Sequence, residues 1–413
     1  MSSRATLVPV FVLVLAFSER ASALTSYVHV TVKALQNNGG YCPTTRNCTG
    51  SYYKQAQFGV NRPLRDLRIY LKSGNTTIGQ GVTNVGGQTL IAFFWPPPDP
   101  LNISILIKFE EGNGRWAVRN LSGGVVTRQP AVGMLPYTPD SWAPAMRTVT
   151  LGTAAVPDEH ANLFDVVTKA WSNGLSEDAT LQSLFTGVSI RGFTSYTGGD
   201  CPTSCAMPES KIIKISEIHR YSMIPMHEMG HIANYLSHRG GAFSYGGCYT
   251  YPSECSGFPG SASGVWYPDS PEWGSASFEE GLATFAAVAG YYARSAPVPY
   301  FCDYASAPCQ AGTFDVEISP TCGSGSAGMP INVTRYFWDL YDTVNDSETI
   351  EREMHRVLGV LYSFPDGTAN GAEDEPRVPL DPDEDGRSLF DYRKYDDVPP
   401  AVWSANCSPS PGD

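Results

Sequence analysis

Two histidines and a glutamate stand at a spacing that suits metal-assisted hydrolysis. His227, Glu228 and His231 form the pattern His-Glu-x-x-His. On a helix, residues four apart lie one turn apart on the same face, so both imidazoles can converge on one metal ion. Glu228 then points alongside at a water on that metal. The residue types and their spacing predict a zinc site in which Glu228 is the general base.

A protein zinc site needs a third ligand, and three residues compete for this place. His238 lies one position late for the metzincin pattern. Asp315 ends Gly-Thr-Phe-Asp, which is similar to the Gly-Thr-x-Asp of aspzincins but lacks the Tyr-Gly that follows there. Glu280 is the third candidate.

Glu280 is favoured because residues 277–285, Ser-Phe-Glu-Glu-Gly-Leu-Ala-Thr-Phe, resemble the Glu-Gly-Leu/Phe-Ala segment of gluzincins. This superfamily includes thermolysin and the membrane-alanyl aminopeptidases. The resemblance implies that Glu280 is the third zinc ligand, on a second helix indicated by the spacing of the apolar residues. Thr284 stands where thermolysin-type enzymes carry an aspartate that orients a zinc histidine, so we expect that support to come from elsewhere.

The elements that must position these groups can be predicted in part. Residues 211–216 favour a strand, and residues 221–236 favour an amphipathic helix that begins near Ser222 or later, because Pro225 fits best in a first turn. Residues 147–151 and 188–193 favour strands, and residues 162–175 favour a helix. We expect a mainly helical, zincin-like peptidase domain with a small sheet at 147–370.

The preceding part of the chain is predicted to be all-β. Residues 24–128 contain alternating apolar runs separated by turns rich in Gly, Asn and Pro, which indicates a β-sandwich. The stretch from Pro63 to Gly87 resembles prealbumin-like or carboxypeptidase-regulatory modules, which commonly accompany secreted enzymes. A Pro-rich linker is predicted at 129–146. The expected fold class is therefore α+β.

The N-terminus and the cysteines indicate export. Residues 1–23 have a positive start, an apolar run and the small-x-small site Ala21-Ser-Ala23, which are typical of a signal peptide. No other segment favours a membrane span. We expect a secreted or periplasmic protein whose ten cysteines form disulfides, paired sequentially where they are close, with zinc binding as the alternative. The cysteines are Cys42, Cys48, Cys201, Cys205, Cys248, Cys255, Cys302, Cys309, Cys322 and Cys407.

The net charge of the chain limits the kinds of molecule that it can bind. The net charge is −13, which argues against nucleic acid as a partner. The segment 371–413 is acidic at its start, and Asp381, Asp383 and Asp385 alternate as in the first half of a calcium loop. The alternatives there are a calcium site and a solvated acidic loop, since Tyr392 replaces the glutamate that ends an EF-hand loop.

These patterns predict a secreted zinc peptidase, favoured as an endopeptidase, that cleaves a peptide or protein substrate with a zinc-activated water. Gluzincins place a tyrosine or histidine downstream to stabilise the oxyanion, so Tyr336, Tyr341 and His355 are candidates for that role. Two alternatives stay open. One is a zincin with Asp315 or His238 as its third ligand. The other is an inactive zinc-binding adhesion protein on a peptidase scaffold, although that would not need Glu228.

Overall fold

A computed structural model gives the three-dimensional structure of the chain. The described residues are 24–35, 61–95, 101–135, 145–153, 158–194, 204–219, 223–237, 274–297, 299–302, 313–317, 329–344, 350–362, 389 and 392. The predicted signal peptide, His238 and the Asp381–Asp385 segment lie outside these residues.

Strands with alternating burial make up the described chain up to residue 151. In the strand at 67–73, Leu67, Ile69 and Leu71 are buried and the residues between them are not, because successive side chains point to opposite faces. The strands are β1 (Leu24–Leu35), β2 (Asn61–Pro63), β3 (Leu67–Ser73), β4 (Thr76–Val82), β5 (Gln88–Trp95), β6 (Leu101–Glu111), β7 (Trp116–Arg119), β8 (Thr127–Arg128), β9 (Ala131–Leu135) and β10 (Ala145–Leu151).

The later part of the described chain is mainly helical. Asp158 caps the first helix by accepting a hydrogen bond from the N–H of Ala161, and Pro225 lies in the first turn of the motif helix, where no helical hydrogen bond is lost. The elements are α1 (Glu159–Asn173), α2 (Ala179–Leu184), β11 (Val188–Thr194), β12 (Cys205–Met207), β13 (Ile212–Ser216), α3 (Ile224–Ser237), α4 (Gly274–Tyr291), β14 (Tyr300–Cys302), β15 (Thr313–Asp315), α5 (Pro330–Tyr341) and α6 (Met354–Leu361).

Two larger sheets organise these strands. In the first sheet β1 pairs in parallel with β10 and antiparallel with β2 and β5. In the second sheet the order is β12-β13-β11-β7-β6-β3-β4, and β8 and β9 also pair with β6. β7, β11 and β13 run parallel, whereas β12 runs antiparallel to β13 at the end of the sheet. α3 follows β13 after a short 3-10 turn, Glu217–His219.

The α+β class is confirmed, but the finer arrangement is not. We expected an all-β module at 24–128 and a separate domain from 147. Instead, β7 pairs with β11 and β1 pairs with β10, so hydrogen-bonded strands cross the predicted division in both sheets. The predicted linker also contains β9, which pairs with β6. The physical reason is that short strands with unpaired edges complete their hydrogen bonding wherever a partner edge lies nearby.

The core of the helical part extends beyond the predicted boundary at 370. Tyr392 is fully buried, packs on Phe278 and Phe337, and donates a hydrogen bond to the carbonyl of Val357 at 2.8 Å. The segment predicted as an acidic tail therefore contributes a core side chain. Among the described residues, no helix combines the length and apolarity needed to cross a bilayer.

Two glycines allow the helices that carry the motif residues to pack closely. A Cβ at Gly230 on α3 would lie 2.6 Å from the Cα of Ala283 on α4, and a Cβ at Gly281 on α4 would lie 2.6 Å from the carbonyl oxygen of Pro330 on α5. Real Cβ atoms do not approach so closely, so only glycine permits these crossings. The glycines of Met-Gly-His and Glu-Gly-Leu thereby fix the separation of the helices that carry the site.

Candidate metal centre

Three predicted ligands meet between α3 and α4. His227 and His231 are 2% and 6% exposed, and Glu280 is 2% exposed. The two histidines lie on consecutive turns of α3, and Glu280 rises from the first half of α4. One ligand atom of each residue lies within 4.8 Å of the others, so the group could hold a metal ion.

The contacts within this group point at a common centre. Nε2 of His227 lies 3.1 Å from Nε2 of His231, and Oε2 of Glu280 lies 3.0 Å from the former and 3.4 Å from the latter. Oε2 of Glu280 is nevertheless buried without a hydrogen-bond partner among the described residues. A buried carboxylate oxygen without a hydrogen bond is costly. Three ligand atoms that lie 3.0–3.4 Å from one another fit coordination of a shared cation.

His227 is held from behind by Thr284. The Thr284 hydroxyl lies 3.1 Å from Nδ1 of His227, and both groups are buried. We expected the support of the zinc histidines to come from elsewhere, because Thr284 replaces an aspartate. That expectation was wrong for His227: Thr284 lies one helical turn after Glu280, so its shorter side chain still reaches the imidazole.

His231 has a different neighbour. Oε2 of Glu279 lies 4.0 Å from Nδ1 of His231, and the same oxygen accepts a hydrogen bond from the side-chain amide of Asn234. Glu279 is only 4% exposed. No motif in the sequence assigns a role to Glu279, although its place directly before Glu280 on a buried helix is a usable signal. Asn234 lies one turn after His231 on α3.

The charges of the group are strongly coupled in the protein without a metal. Burial opposes charge on His231, but the carboxylate of Glu280 outweighs it and raises the pKa of His231 to about 9. Burial likewise opposes charge on Glu280, but His231 outweighs it and lowers the pKa of Glu280 to about 2. Burial lowers the pKa of His227, and the nearby Glu280 offsets this only in part. The group is therefore an ion pair with one additional uncharged imidazole.

Glu228 lies in the same buried region without joining the three ligands. Burial raises the pKa of Glu228 to about 8 against the opposing charge of His231; the charge of Glu280 contributes to the rise, and the backbone N–H of Ala206 opposes it. Ala206 belongs to β12, the terminal strand of the second sheet. The carboxylate of Glu228 is thus hydrogen-bonded to the sheet edge beside the metal-binding group.

His219 is a further histidine that interacts electrostatically with His227, and no motif in the sequence indicates it. It ends the turn between β13 and α3, and its Nδ1 lies 2.8 Å from the hydroxyl of Ser204. Burial and the charge of His227 lower the pKa of His219 to about 4. No motif spacing indicates this residue, since it lies eight positions before His227 on a separate element.

Asp315 and His238 were the other two candidates for the third ligand, and only Asp315 lies within the described residues. Asp315 lies at the end of β15, where its carboxylate accepts a hydrogen bond from the N–H of Glu317 at 3.0 Å. It is absent from the ligand group found among the described residues. β14, the partner strand of β15, brings Phe301 to 5.8 Å from the ring of His227. His238 lies outside the described residues and stays a prediction.

The three candidate oxyanion donors, His355, Tyr341 and Tyr336, lie in different surroundings. His355 is exposed and lies 3.2 Å from the carboxylate of Glu353. Tyr341 packs on Phe285, with the guanidinium of Arg294 above its ring at 4.9 Å, and burial raises its pKa. Tyr336 is a fully buried core residue that packs on Phe337 and Tyr392. His355 therefore faces solvent, and both tyrosines belong to the helical core.

Most of the predicted cysteine and calcium sites cannot be placed. Cys205 is disulfide-bonded, but its predicted partner Cys201 lies outside the described residues, as do Asp381, Asp383 and Asp385. These predictions stay predictions.

Comparisons with known proteins show no family for this chain, so a functional assignment rests on the geometry of the site. No protein-family model matches the sequence, and no curated protein matches it. Among solved structures, the crystal structure of a 9R-lipoxygenase from Cyanothece PCC8801 matches with 11% sequence identity and a TM-score of 0.15. This match covers 37% of the chain, which spans 18% of the lipoxygenase chain. Similarity this low carries no argument about fold or activity.

Proposed function

We propose that this protein is an exported zinc peptidase that hydrolyses internal peptide bonds, with Glu228 as its general base. The observation that carries the proposal is the convergence of His227, His231 and Glu280 on one buried point beside a second, separate carboxylate, that of Glu228. Structural metal sites use four protein ligands, whereas catalytic zinc sites use three and keep one position open. The number and kind of ligands therefore favour a catalytic centre.

The separations of the donor atoms suit zinc. Zinc binds histidine nitrogen and carboxylate oxygen at about 2.0–2.1 Å in tetrahedral geometry, so two of its ligand atoms lie about 3.3–3.4 Å apart. The three separations here are 3.0, 3.1 and 3.4 Å. Two imidazoles and one carboxylate are also the ligand set of known zinc peptidases. Calcium prefers six to eight oxygen ligands at longer distances, so this donor set does not suit it.

A bound zinc ion would lower the pKa of a water molecule to about 7 and polarise the carbonyl group of a substrate. Glu228 takes a proton from the attacking water at a carboxylate oxygen and passes it to the nitrogen of the leaving amine. The buried position of Glu228 makes its carboxylate a stronger base than that of an exposed glutamate, because burial disfavours the charged form. The N–H of Ala206 holds that carboxylate in place.

The surrounding elements support a peptide as the substrate. β12 is a short terminal strand, and Ala206 within it contacts Glu228. A terminal strand can pair with an extended peptide through main-chain hydrogen bonds. A peptide that added to this edge would lie beside the general base, which suits cleavage within a chain.

The test compares Glu228→Gln with the wild-type mature protein, both purified and loaded with zinc. We expect one zinc per chain in both proteins and cleavage of unfolded casein only by the wild type. Loss of Glu228 should lower kcat by at least about 100-fold, since general-base catalysis contributes about 10²–10⁴. A chelator should abolish the wild-type activity, and added zinc should restore it.

Each alternative has a distinct result. Zinc binding without cleavage of casein or of a mixed peptide library would favour a non-catalytic binding protein. Equal activity of Glu228→Gln and the wild type would overturn the mechanism. A wild-type protein without zinc would remove the metal site itself.

A further inference from the structure

A phenylalanine from outside α3 and α4 packs against one of the metal-binding histidines. Phe301 lies in the middle of β14, where it pairs with Phe314 of β15. Its side chain is fully buried, and its ring centroid lies 5.8 Å from that of His227, with the two ring planes tilted by 40°. The hairpin formed by β14 and β15 therefore contributes a side chain to the surroundings of the metal-binding group.

Contacts with α5 hold this hairpin in place. A guanidinium N–H of Arg335 donates a hydrogen bond to the carbonyl oxygen of Asp315 at 3.0 Å. The indole N–H of Trp338, a fully buried residue one turn further along α5, donates a hydrogen bond to the carboxylate of Glu317. Two hydrogen bonds from one helix thus fix the hairpin that carries Phe301.

The same helix contacts α4, which carries Glu280. The hydroxyl of Thr334 on α5 lies 2.9 Å from the carbonyl oxygen of Gly281, the residue after Glu280. A Cβ at Gly281 would lie 2.4 Å from the Cβ of Val333, so the absence of a side chain there allows α4 and α5 to pack closely. α5 therefore fixes the hairpin and the helix of the third ligand relative to one another.

The contacts of His227 restrict its ring in different ways. Thr284 lies 3.1 Å from Nδ1 and contacts a single atom of the imidazole. One hydrogen bond leaves the ring able to turn about it, because the χ2 torsion of histidine has broad minima. The bulky ring of Phe301 reduces the room for such turning. Because this ring is apolar, it also displaces water from the surroundings of a ligand, and the apolar shell of a metal site controls solvent access.

We propose that Phe301 is a positioning residue of the metal centre, which holds the imidazole of His227 in the orientation that presents Nε2 to the ion. This inference rests on the metal site of the proposed function. It assigns a role to the hairpin inserted between α4 and α5, which contains the rejected ligand candidate Asp315. In this role Phe301 touches neither the metal nor the substrate and acts through His227.

The first test measures zinc affinity in the full mature protein by competition with a fluorescent chelator. Phe301→Leu keeps an apolar side chain but removes the ring, and we expect zinc affinity to fall by about tenfold or more. Phe109→Leu is the matched control. Phe109 is also fully buried and packs on another aromatic ring, that of Phe164 at 6.1 Å. Both variants should unfold at a lower temperature than the wild type, but only Phe301→Leu should lose zinc affinity.

A second readout reports the geometry of the ligands. Cobalt(II) replaces zinc in the wild type and in both variants, and its visible absorption bands depend on the arrangement of the ligand atoms. We expect altered band positions or intensities in Phe301→Leu and a wild-type spectrum in Phe109→Leu. A loss of packing energy alone would lower the unfolding temperature of Phe301→Leu without changing this spectrum.

The outcomes separate this inference from the proposed function. Wild-type zinc affinity or a wild-type cobalt spectrum in Phe301→Leu would overturn the role of Phe301 and leave the peptidase proposal intact. Equal losses of zinc affinity in Phe301→Leu and Phe109→Leu would overturn it as well. If the wild type bound zinc but cleaved no peptide, and Phe301→Leu showed both expected changes, the role of Phe301 would stand and the peptidase proposal would fall. A wild type that bound neither metal would overturn both.

Discussion

The Thr284 hydroxyl lies 3.1 Å from Nδ1 of His227, on the side of the imidazole away from Glu280. When His227 donates its Nδ1 proton to this oxygen, Nε2 is left free of a proton and faces the other ligands. A hydrogen bond of this kind selects the ligand tautomer and fixes the orientation of the ring. Thr284 can therefore orient the imidazole of His227 without adding a negative charge to the group.

Replacement of Thr284 by valine should weaken zinc binding. Valine keeps the shape of threonine but removes the acceptor for Nδ1, so we expect zinc affinity to fall by about 10–100-fold. Competition with a fluorescent chelator measures this directly. Thr284→Ser should retain most of the affinity.

Thr168→Val is a matched control for this substitution. Thr168 is also a buried threonine on a helix, but its hydroxyl has no hydrogen-bond partner within the part of the chain that the structure describes. The change should leave zinc affinity as it is in the wild type. Equal losses in both variants would show that the effect comes from general destabilisation.

The third ligand can be identified by neutral replacements of similar size. Glu280→Gln should leave the protein without zinc after dialysis. Its loss of zinc affinity should exceed the roughly 10–100-fold loss that is expected when a residue that only hydrogen-bonds to a ligand is replaced. Asp315→Asn and His238→Ala should each retain one zinc per chain by atomic emission. If Asp315→Asn lost zinc and Glu280→Gln kept it, the assignment from the structure would fail.

Gly230→Ala should damage the site without touching a ligand. The added methyl group would meet the backbone of Ala283 at 2.6–2.9 Å, so α3 and α4 must separate. Overpacking of this kind costs about 1–3 kcal/mol, and zinc affinity should fall as well, because His231 and Glu280 move apart. Thermal unfolding and zinc titration measure the two effects.

A suitable control is Gly359→Ala on α6. A Cβ there meets no atom of the described residues within 4 Å, and alanine favours a helix over glycine by about 0.5–1 kcal/mol. This variant should be slightly more stable than the wild type and bind zinc normally. A stabilised Gly230→Ala variant would contradict the close crossing of α3 and α4.

Zinc binding should release at least one proton at pH 7.5. The pKa of His231 is raised to about 9 without a metal, so the imidazole is charged at this pH and must lose its proton to become a ligand. The affinity for zinc should rise by about tenfold per pH unit up to about pH 9. Calorimetry in buffers of different ionisation enthalpy counts the released protons.

Whereas the affinity for zinc should rise with pH, the free energy of unfolding of the metal-free protein should fall as the pH rises. A histidine with a raised folded pKa contributes its full stability below its unfolded pKa of about 6.5, and loses it as the pH rises through about 9. Glu228→Gln removes the other group that titrates near pH 8, so its proton count isolates His231. A value of zero protons in that variant would show that His231 is neutral before zinc binds.

The sequence by itself predicted the three residues that the structure brings together, and it placed Glu228 beside them. His227 and His231 needed only one helix, because helical periodicity converts a spacing of four residues into a shared face. Glu280 was named by the resemblance of its segment to gluzincins, on a second helix whose apolar spacing is visible. The strands at 67–73, 188–194 and 212–216 were likewise predictable, since alternation or an apolar run is a local signal.

The tertiary structure decided which groups surround those residues. Glu279 and Phe301 are ordinary residues in sequence, and their importance comes from lying 4.0 Å from Nδ1 of His231 and 5.8 Å from the ring of His227. The joining of β7 to β11 was also not predictable, because strand partners are selected by edges that meet in space. Contacts between distant segments depend on how helices and sheets pack, and a single sequence records that packing only indirectly, as in Gly230, where only glycine fits.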